Sequence, residues 1–400
     1  MPLGEDIDVF VGLDVAKGVH YAQVISSGGE DLFDRPVPND EAAVRSLIGE
    51  AAGGGRVAVV VDQSASTAQL LLVVARDVGV PVAYVSGLQM RRAADLYAGQ
   101  AKTDPRDAWV LADYARRNVD RLTWLEVTDE LVTELRVLNG RDVDLAHDAT
   151  RIINRCRDAL VAVSPGVERV VGQRFSQAGI RDLLGRYPTP TLLRQAGKAR
   201  IRRTIGRRSP RVADRVTTSL WDALDAQTVT LAGEATWGQV IAELVTDLDR
   251  IVQQRKTLAA QIEQLFLSHP LGKVLVTLTG FGPRTGARTL AEIGDPNRFA
   301  NGGRLAAYAG FAPVDRRSGT SINSASRSRS GNHRLKNAMF IAAFVASRHD
   351  PAAKAYYQRK RGEGKSHNAA ITCLARRRCD IILAMLKTAT PYQPTLPKAA

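Results

Sequence analysis

The chain has 400 residues, 44% hydrophobic and 24% charged, the composition of an ordinary globular protein long enough for two or three domains with real cores. Fifty-five Lys and Arg against 41 Asp and Glu leave a net charge of +14, which points to a polyanionic partner, nucleic acid before any other. Cys156, Cys373 and Cys379 fit neither CxxC metal spacing nor a disulfide framework, no apolar run reaches the ~18 residues that span a bilayer, and Glu5, Asp6 and Asp8 stand where a leader would be basic. A soluble, cytoplasmic protein without a membrane partner is expected.

Residues 9–17 (VFVGLDVAK) have strand character and carry one carboxylate, Asp14, near their end. A buried carboxylate is costly unless a cation neutralises it, so Asp14 reads either as a metal ligand or as a solvent-facing residue on an edge strand. Runs at 20–26 and 31–37, joined through Gly28-Gly29, extend a meander. A helix over 40–50 capped by Asn39 or Asp40, a wholly apolar strand at 56–61 ending in Asp62, and a helix from 64–67 through 78 come next. A short strand at 82–85 and a helix at 88–97 complete a βββαβαβα order, a mixed sheet flanked by helices, with acids at strand ends where such sheets build sites.

Residues 99–108 (GQAKTDPRDA) set Asp104 and Asp107 three apart at a helix start, with Pro105 in the first turn. Three residues apart means one helix face. Acids favoured there by the helix dipole alone are the plain alternative. Together with Asp14 and Asp62, however, the pair makes a set of four carboxylates able to hold two divalent cations, as two-metal phosphoryl transfer requires.

Gly12-Leu13-Asp14 and the run Lys102-Thr103-Asp104-Pro105-Arg106-Asp107-Ala108, in this order of elements, resemble the RuvC-like, RNase H-fold domain of the DEDD transposases encoded by bacterial insertion sequences. The second acid departs from that pattern. The family carries Glu followed by a small Thr/Gly run, whereas Asp62-Gln63-Ser64 stands here, so a side chain one methylene shorter either sits closer to the metals or binds through water.

From Leu131 the apolar period changes. Leu131, Leu135, Leu138, Leu145, Ala149, Ile152, Cys156, Ala159 and Val163 follow steps of four and three, broken by Asp142. A second seam runs through Trp237, Ile241, Leu244, Leu248, Ile251, Arg255, Leu258, Ile262 and Leu265. Two such segments predict a coiled-coil arm or an antiparallel helical hairpin, with bundle core helices as the alternative. Between them lie residues 167–232, in which the run 198–215 carries Lys198, Arg200, Arg202, Arg203, Arg207, Arg208, Arg211 and Arg215 with only Asp214 opposing, a density that favours phosphate contacts over a merely solvated face. Gly185, Pro188, Pro190 and Gly206 are expected to break this region into short helices.

Residues 278–294 (LTGFGPRTGARTLAEIG) read as helix, tight turn, helix, with Gly280 and Gly282 letting amides approach phosphates beside Arg284. This is the pattern of a helix-hairpin-helix element, or of a plain αα-hairpin. A Ser- and Arg-rich loop, 311–330, precedes an apolar helix at 335–347, and residues 315–378 hold fifteen Lys or Arg against Asp315, Asp350 and Glu363. That setting suggests a loop closing over nucleic acid. Gly280-Phe281-Gly282-Pro283, residues 291–295 (AEIGD), Arg298-Phe299, Tyr308-Ala309-Gly310 and Ser318-Gly319 resemble the second domain of the same insertion-sequence family.

The resemblance implies a RuvC-like domain at 1–125, a helical coiled-coil arm with a basic insertion at 126–270, and a mainly α, serine-bearing domain at 271–390. It further implies Mg²⁺, with Mn²⁺ as the alternative, on Asp14, Asp62, Asp104 and Asp107, and a serine that attacks the DNA backbone, by motif position Ser318, with Ser321 and Ser324 as competitors. Lys102, Arg106, Arg316, Arg317, Arg327, Arg329 and Arg334 join the nucleic-acid contacts. The implied activity is strand cleavage and rejoining that excises and inserts an insertion sequence. Element ends, target DNA and an element-encoded bridge RNA are the implied partners, with assembly as dimers or tetramers acting at the nucleoid. A structure-selective junction endonuclease would need the acids but not Ser318, and a non-catalytic nucleic-acid scaffold would need neither.

Overall fold

The computed structural model describes residues 6–63, 66–97, 103–125, 130–318, 322–327 and 331–393. The chain divides into two compact units, Met1–Asp129 with Asp295–Ala300, and Glu130–Gly294 with Asn301–Ala400.

The first unit is a six-stranded mixed sheet in the order β3-β2-β1-β4-β5-β6. β1 (Val9–Asp14), β2 (Val19–Ser26) and β3 (Asp31–Pro38) form the antiparallel meander, with an irregularity between Val24 and Ile25. α1 (Glu41–Ala51) starts where Asp40 accepts the Ala43 amide at 2.8 Å, and β4 (Val57–Val61) then pairs parallel to β1. α2 (Gln69–Asp77), β5 (Val82–Tyr84, parallel to β4) and α3 (Gly87–Ala94, capped by Ser86 and Gln89) follow. α4 (Asp104–Arg117) leads to β6 (Thr123–Leu125), antiparallel to β5 and too short and mixed in sequence to announce itself.

Alternation along the strands decides which helices cover which face. Val9, Val11 and Leu13 with Val57, Val59 and Val61 pack against Val44, Leu47, Leu71 and Val74 of α1 and α2. Phe10, Ala58, Val60 and Ala83 pack against Met90 of α3 and Leu111, Ala112 and Ala115 of α4. Each such fully buried Val, Leu or Phe contributes about 1.5–3 kcal/mol, so a one-residue slip of register would be prohibitive.

The second unit is built on two long helices, α5 (Glu130–Val163) and α10 (Glu234–Ser268). They run antiparallel, since Asp142 meets Arg255 near one end and Leu160 shares a core with Ile241 and Leu244 near the other. The two charged residues that interrupt the apolar seams therefore face each other: Arg255 Nε lies 2.8 Å from Asp142, and Arg288 approaches the same carboxylate at 3.5 Å. A half-buried pair at one level of such a seam fixes register more than it adds stability. Trp237 does not continue the seam. It is 40% exposed, and Gly238 is buried in its stead, as Phe266 is in place of Leu265.

Between the long helices lie α6 (Pro165–Val171), α7 (Ala178–Arg186), α8 (Pro190–Arg208) and α9 (Pro210–Asp225), closing a core around Val167, Leu183, Ile201, Val216 and Leu220. Pro190 starts α8 as expected, but Gly185 and Gly206 lie inside helices and break nothing. The kink in α8 is at Gly197, where φ is +76°. α11 (Pro270–Leu275), α12 (Pro283–Ile293) and α13 (Gly302–Tyr308) lead to the hairpin β7 (Pro313–Ser318) and β8 (Ile322–Arg327), so the segment expected as loop is two-stranded. α14 (His333–His349), α15 (Pro351–Gly362) and α16 (His367–Thr388) end the unit. Among the described residues no helix is long and apolar enough to cross a membrane.

Candidate active site

β1 lies between β2 and β4, which removes the edge-strand reading of Asp14. The parallel register pairs Leu13 with Val61, so Asp14 and Asp62 are the next residues on adjacent strands, about 4.8 Å apart in backbone spacing. Both are half-buried, and Oδ1 of Asp62 is shielded from solvent. Gln63 Nε2 donates to the Val15 carbonyl at 3.2 Å, clamping together the two strand ends just beyond the acids.

Parity puts Asp14 on the face of Phe10 and Gly12, and Asp62 on that of Ala58 and Val60, which is the face α4 covers. Gly12 is where helix and strand come closest. A Cβ there would lie 2.1 Å from the Ala108 carbonyl oxygen and 2.6 Å from the Ala112 amide nitrogen, so only glycine admits α4 at this depth. Asp14 is two residues on from Gly12, and Asp107 directly precedes Ala108. Asp104 begins the helix and is exposed, with Asp107 one turn deeper and half-buried.

Asp14 and Asp62 thus end neighbouring interior strands, and Asp104 and Asp107 lie in the first turn of the helix that crosses β1 at Gly12. Their hard oxygen donors are of the kind a divalent cation such as Mg²⁺ takes. Among the described residues no group of three or more His, Cys, Asp or Glu is drawn close enough to hold an ion, so the acids do not enclose a point.

A fifth acid, Asp113, escapes sequence reasoning. It is 1% exposed on α4 and bonds Tyr97 Oη, Arg116 Nη2 at 2.6 Å and Arg117 Nε at 2.9 Å. Burial works to raise its pKa, but these hydrogen bonds and cations win and hold it below the usual carboxylate range, while burial and Asp113 push the Tyr97 hydroxyl up to about 12. Tyr97 also packs edge-on against Trp109, and its carbonyl accepts from Arg106 at 3.3 Å. The network fastens the end of the α3 segment to α4, and its only signal in the sequence is the i, i+3, i+4 spacing of Asp113 with Arg116 and Arg117.

The expected nucleic-acid contacts divide. Arg106 is half-buried on Tyr97, Arg202 pairs with Asp214, and Arg208 lies 3.3 Å from Asp182. Arg203, Arg207 and Arg284 are exposed, as is Arg334, 3.9 Å from Glu292. Gly280 has φ +94° and a Cβ there would lie 2.3 Å from the Ala342 carbonyl, so helix packing alone demands glycine, while Gly282 is the N-cap residue of α12. Lys102, Ser321 and Arg329 lie outside the described residues.

Ser318 is the last residue of β7, paired with Ile322 across the hairpin, and Arg316 and Arg317 pair with Ser324 and Asn323; the strands are described by their backbone. The root of this hairpin is held by Asn332, whose amide donates to the Tyr308 carbonyl at 2.7 Å and whose Nδ2 donates to Glu292 Oε2 at 2.6 Å and to Tyr308 Oη at 3.0 Å.

Residues 11–165 match a family model described as transposase, and residues 272–358 one described as the transposase IS116/IS110/IS902 family. The 43.6 kDa protein of insertion element IS110 from Streptomyces coelicolor is 44% identical over 98% of this chain and 97% of its own. The 44.8 kDa protein of insertion element IS116 from Streptomyces clavuligerus is 36% identical over 97% of each. T. thermophilus RuvC in complex with a Holliday junction substrate, 17% identical and covering 30% of this chain and all of its own, aligns with a TM-score of 0.24, too slight a likeness to argue from. On two family models and relatives matched over nearly their whole length, the chain belongs to the IS116/IS110/IS902 family of transposases.

Proposed function

We propose that this transposase cleaves and rejoins DNA strands to excise and insert an insertion sequence, with the first unit as a RuvC-like catalytic domain and Ser318 as the nucleophile. The observation that carries the reading is the pairing of Leu13 with Val61 beneath α4, which brings Asp14 and Asp62 side by side under the helix that Asp104 opens and Asp107 follows. Asp14, Asp62, Asp104 and Asp107 would hold Mg²⁺, or Mn²⁺. A bound divalent cation neutralises the carboxylates and stabilises charge on the phosphate undergoing substitution. The Ser318 oxygen bonds the scissile phosphorus as the strand oxygen leaves, and a DNA hydroxyl later displaces the serine and joins the new strand. Arg316 and Arg317, its neighbours on β7, add positive charge to the hairpin that carries it.

The division of labour follows residues 1–125, 126–270 and 271–390. The pair α5 and α10 serves as a coiled-coil arm, residues 278–294 as a helix-hairpin-helix contact to the DNA backbone, and the exposed arginines of α8 as a second basic surface. Two separate basic regions suit two nucleic acids, DNA at element ends and target and a bridge RNA that selects both. Paired strand exchange needs more than one active centre, hence a dimer or tetramer.

The test is to incubate the purified protein and host-co-purified RNA with supercoiled DNA carrying the element junction, and to look for protein covalently attached to DNA. The expected result is a serine-linked adduct in the wild type, abolished in Ser318→Ala and reduced about a hundredfold or more in Asp104→Asn, the loss that removing several kcal/mol of charge stabilisation produces. Cleavage without an adduct that survives Ser318→Ala would leave a metal-dependent nuclease. Undiminished cleavage by Asp104→Asn would remove the carboxylate site.

A further inference from the structure

Beside the hairpin root is a depression of about 280 Å³ lined by Phe311, His333, Lys336, Asn337, Phe340 and Thr372. Phe311 is buried and Phe340 half-buried, so two rings form walls, while His333 and Asn337 are exposed at the rim with Lys336 between them. The α14 face then continues at steps of four through Phe344 to Arg348, whose guanidinium lies 4.2 Å from the Phe344 ring centroid. Phe344 meets His367 of α16 edge-on at 5.9 Å, and His367 Nδ1 is 2.8 Å from the Tyr357 hydroxyl of α15. Next to it Tyr356 is flanked by Arg359 and Arg377, each 5.0 Å from its centroid.

Rings and cations alternate along this face. Rings offer sequence-tolerant stacking and cations offer phosphate contacts, and together they suit a strand whose base faces are open, which those of a duplex are not. The reaction proposed above uses none of these residues. The geometry points to a binding site for an unpaired DNA strand on α14–α16, with one base seated between Phe311 and Phe340, the next toward Phe344 and His367, and phosphates on Lys336 and Arg348. The assignment to DNA rests on the reading of Ser318 as the DNA-attacking residue, since Phe311 stands two residues before β7 and the strand held there is the one the hairpin meets.

Fluorescence anisotropy with the full-length protein tests this, using a labelled oligothymidine of about 15 nucleotides, its duplex with oligoadenosine, and oligouridine of the same length. Phe340→Leu keeps an apolar core contact but removes the stacking ring. It is expected to weaken oligothymidine binding about tenfold with duplex binding unchanged, and His367→Ala, at an exposed position, about threefold. Asp104→Asn is expected to bind oligothymidine like the wild type while failing to cleave, so loss of chemistry and loss of strand binding are read apart. Equal losses for strand and duplex, no loss in either ring variant, or tighter binding of oligouridine than of oligothymidine would each overturn the assignment.

Discussion

Asp14 and Ser318 both end a β-strand, yet the two strands could hardly differ more in what holds them. β1 is interior to a six-stranded sheet covered on both faces, and its last residues are fixed by backbone pairing on either side and by α4 above. Among the described residues β7 pairs with β8 alone, and a two-stranded ribbon is marginal by itself, while the Asn332, Tyr308 and Glu292 bonds tie together the segments before and after it. Core packing presets the strand ends that carry Asp14 and Asp62; polar side chains tie the chain on either side of the serine hairpin. A substitution should therefore damage the first through packing and the second through hydrogen bonding.

The largest effect is expected at Gly12. Gly12→Val drives carbon atoms into the backbone of Ala108 and Ala112, and α4 must lift from the sheet. Overpacking of this kind costs about 1–3 kcal/mol in an accommodating core, and more where the obstacle is backbone. Thermal unfolding of the first unit should fall by several degrees, and adduct formation should be lost even in variants that remain folded, because Asp107 moves with the helix. A folded Gly12→Val chain with full activity would show that the acids do not depend on this contact.

Asn332→Ala should be milder and selective. It removes the cap that accepts the Leu335 amide at 2.9 Å, worth about 1 kcal/mol, and leaves the part-buried Glu292 without its amide partner. Faster amide exchange is expected across β7, β8 and the first turn of α14, with a reduced yield of serine-linked adduct and unaltered exchange in β1 and β4. Uniform acceleration across both units would mean that Asn332 supports general stability and not the hairpin.

The contrast also explains what the sequence could reveal. Runs such as residues 57–61 announce a strand because burial on both faces selects the side chains themselves, and an acid closing such a run is conspicuous. Asp142 is visible as a break in its seam and Arg255 as a cation within the other, but that they meet is not, since 113 residues separate them and only the antiparallel pairing joins them. The hairpin has no such mark, because Val314, Ile322 and Ala325 are too few among Ser and Arg to define a face. Gly280 carries two requirements that look alike in one dimension: a glycine beside a carbonyl of α14, which the structure shows, and a glycine beside a phosphate. Asp113 is inconspicuous because its partners on α4 read as an ordinary run of surface arginines.

The smallest effect concerns His20, and it sharpens the claim that the β1 end is preset. His20 is 1% exposed on β2, on the face opposite Asp14, and its Nδ1 accepts the Ala16 amide at 3.1 Å just beyond β1. Burial lowers its pKa below the ordinary 6.5, and the Ala16 amide, which can donate only to an unprotonated Nδ1, favours the neutral ring as well. Above 6.5 the ring is neutral folded or unfolded, and the contact contributes in full. As pH falls below 6.5 the unfolded chain takes up a proton that the folded one refuses until its own lower value is reached, so stability is lost with falling pH at no more than about 1.4 kcal/mol per unit. Amide exchange of β1 and β2 should accelerate over that window in the wild type and not in His20→Gln, with α5 and α10 as the internal reference. Identical pH dependence in the two chains would mean that the proton taken up on opening goes elsewhere, and that the strand end is held by its ladder bonds alone.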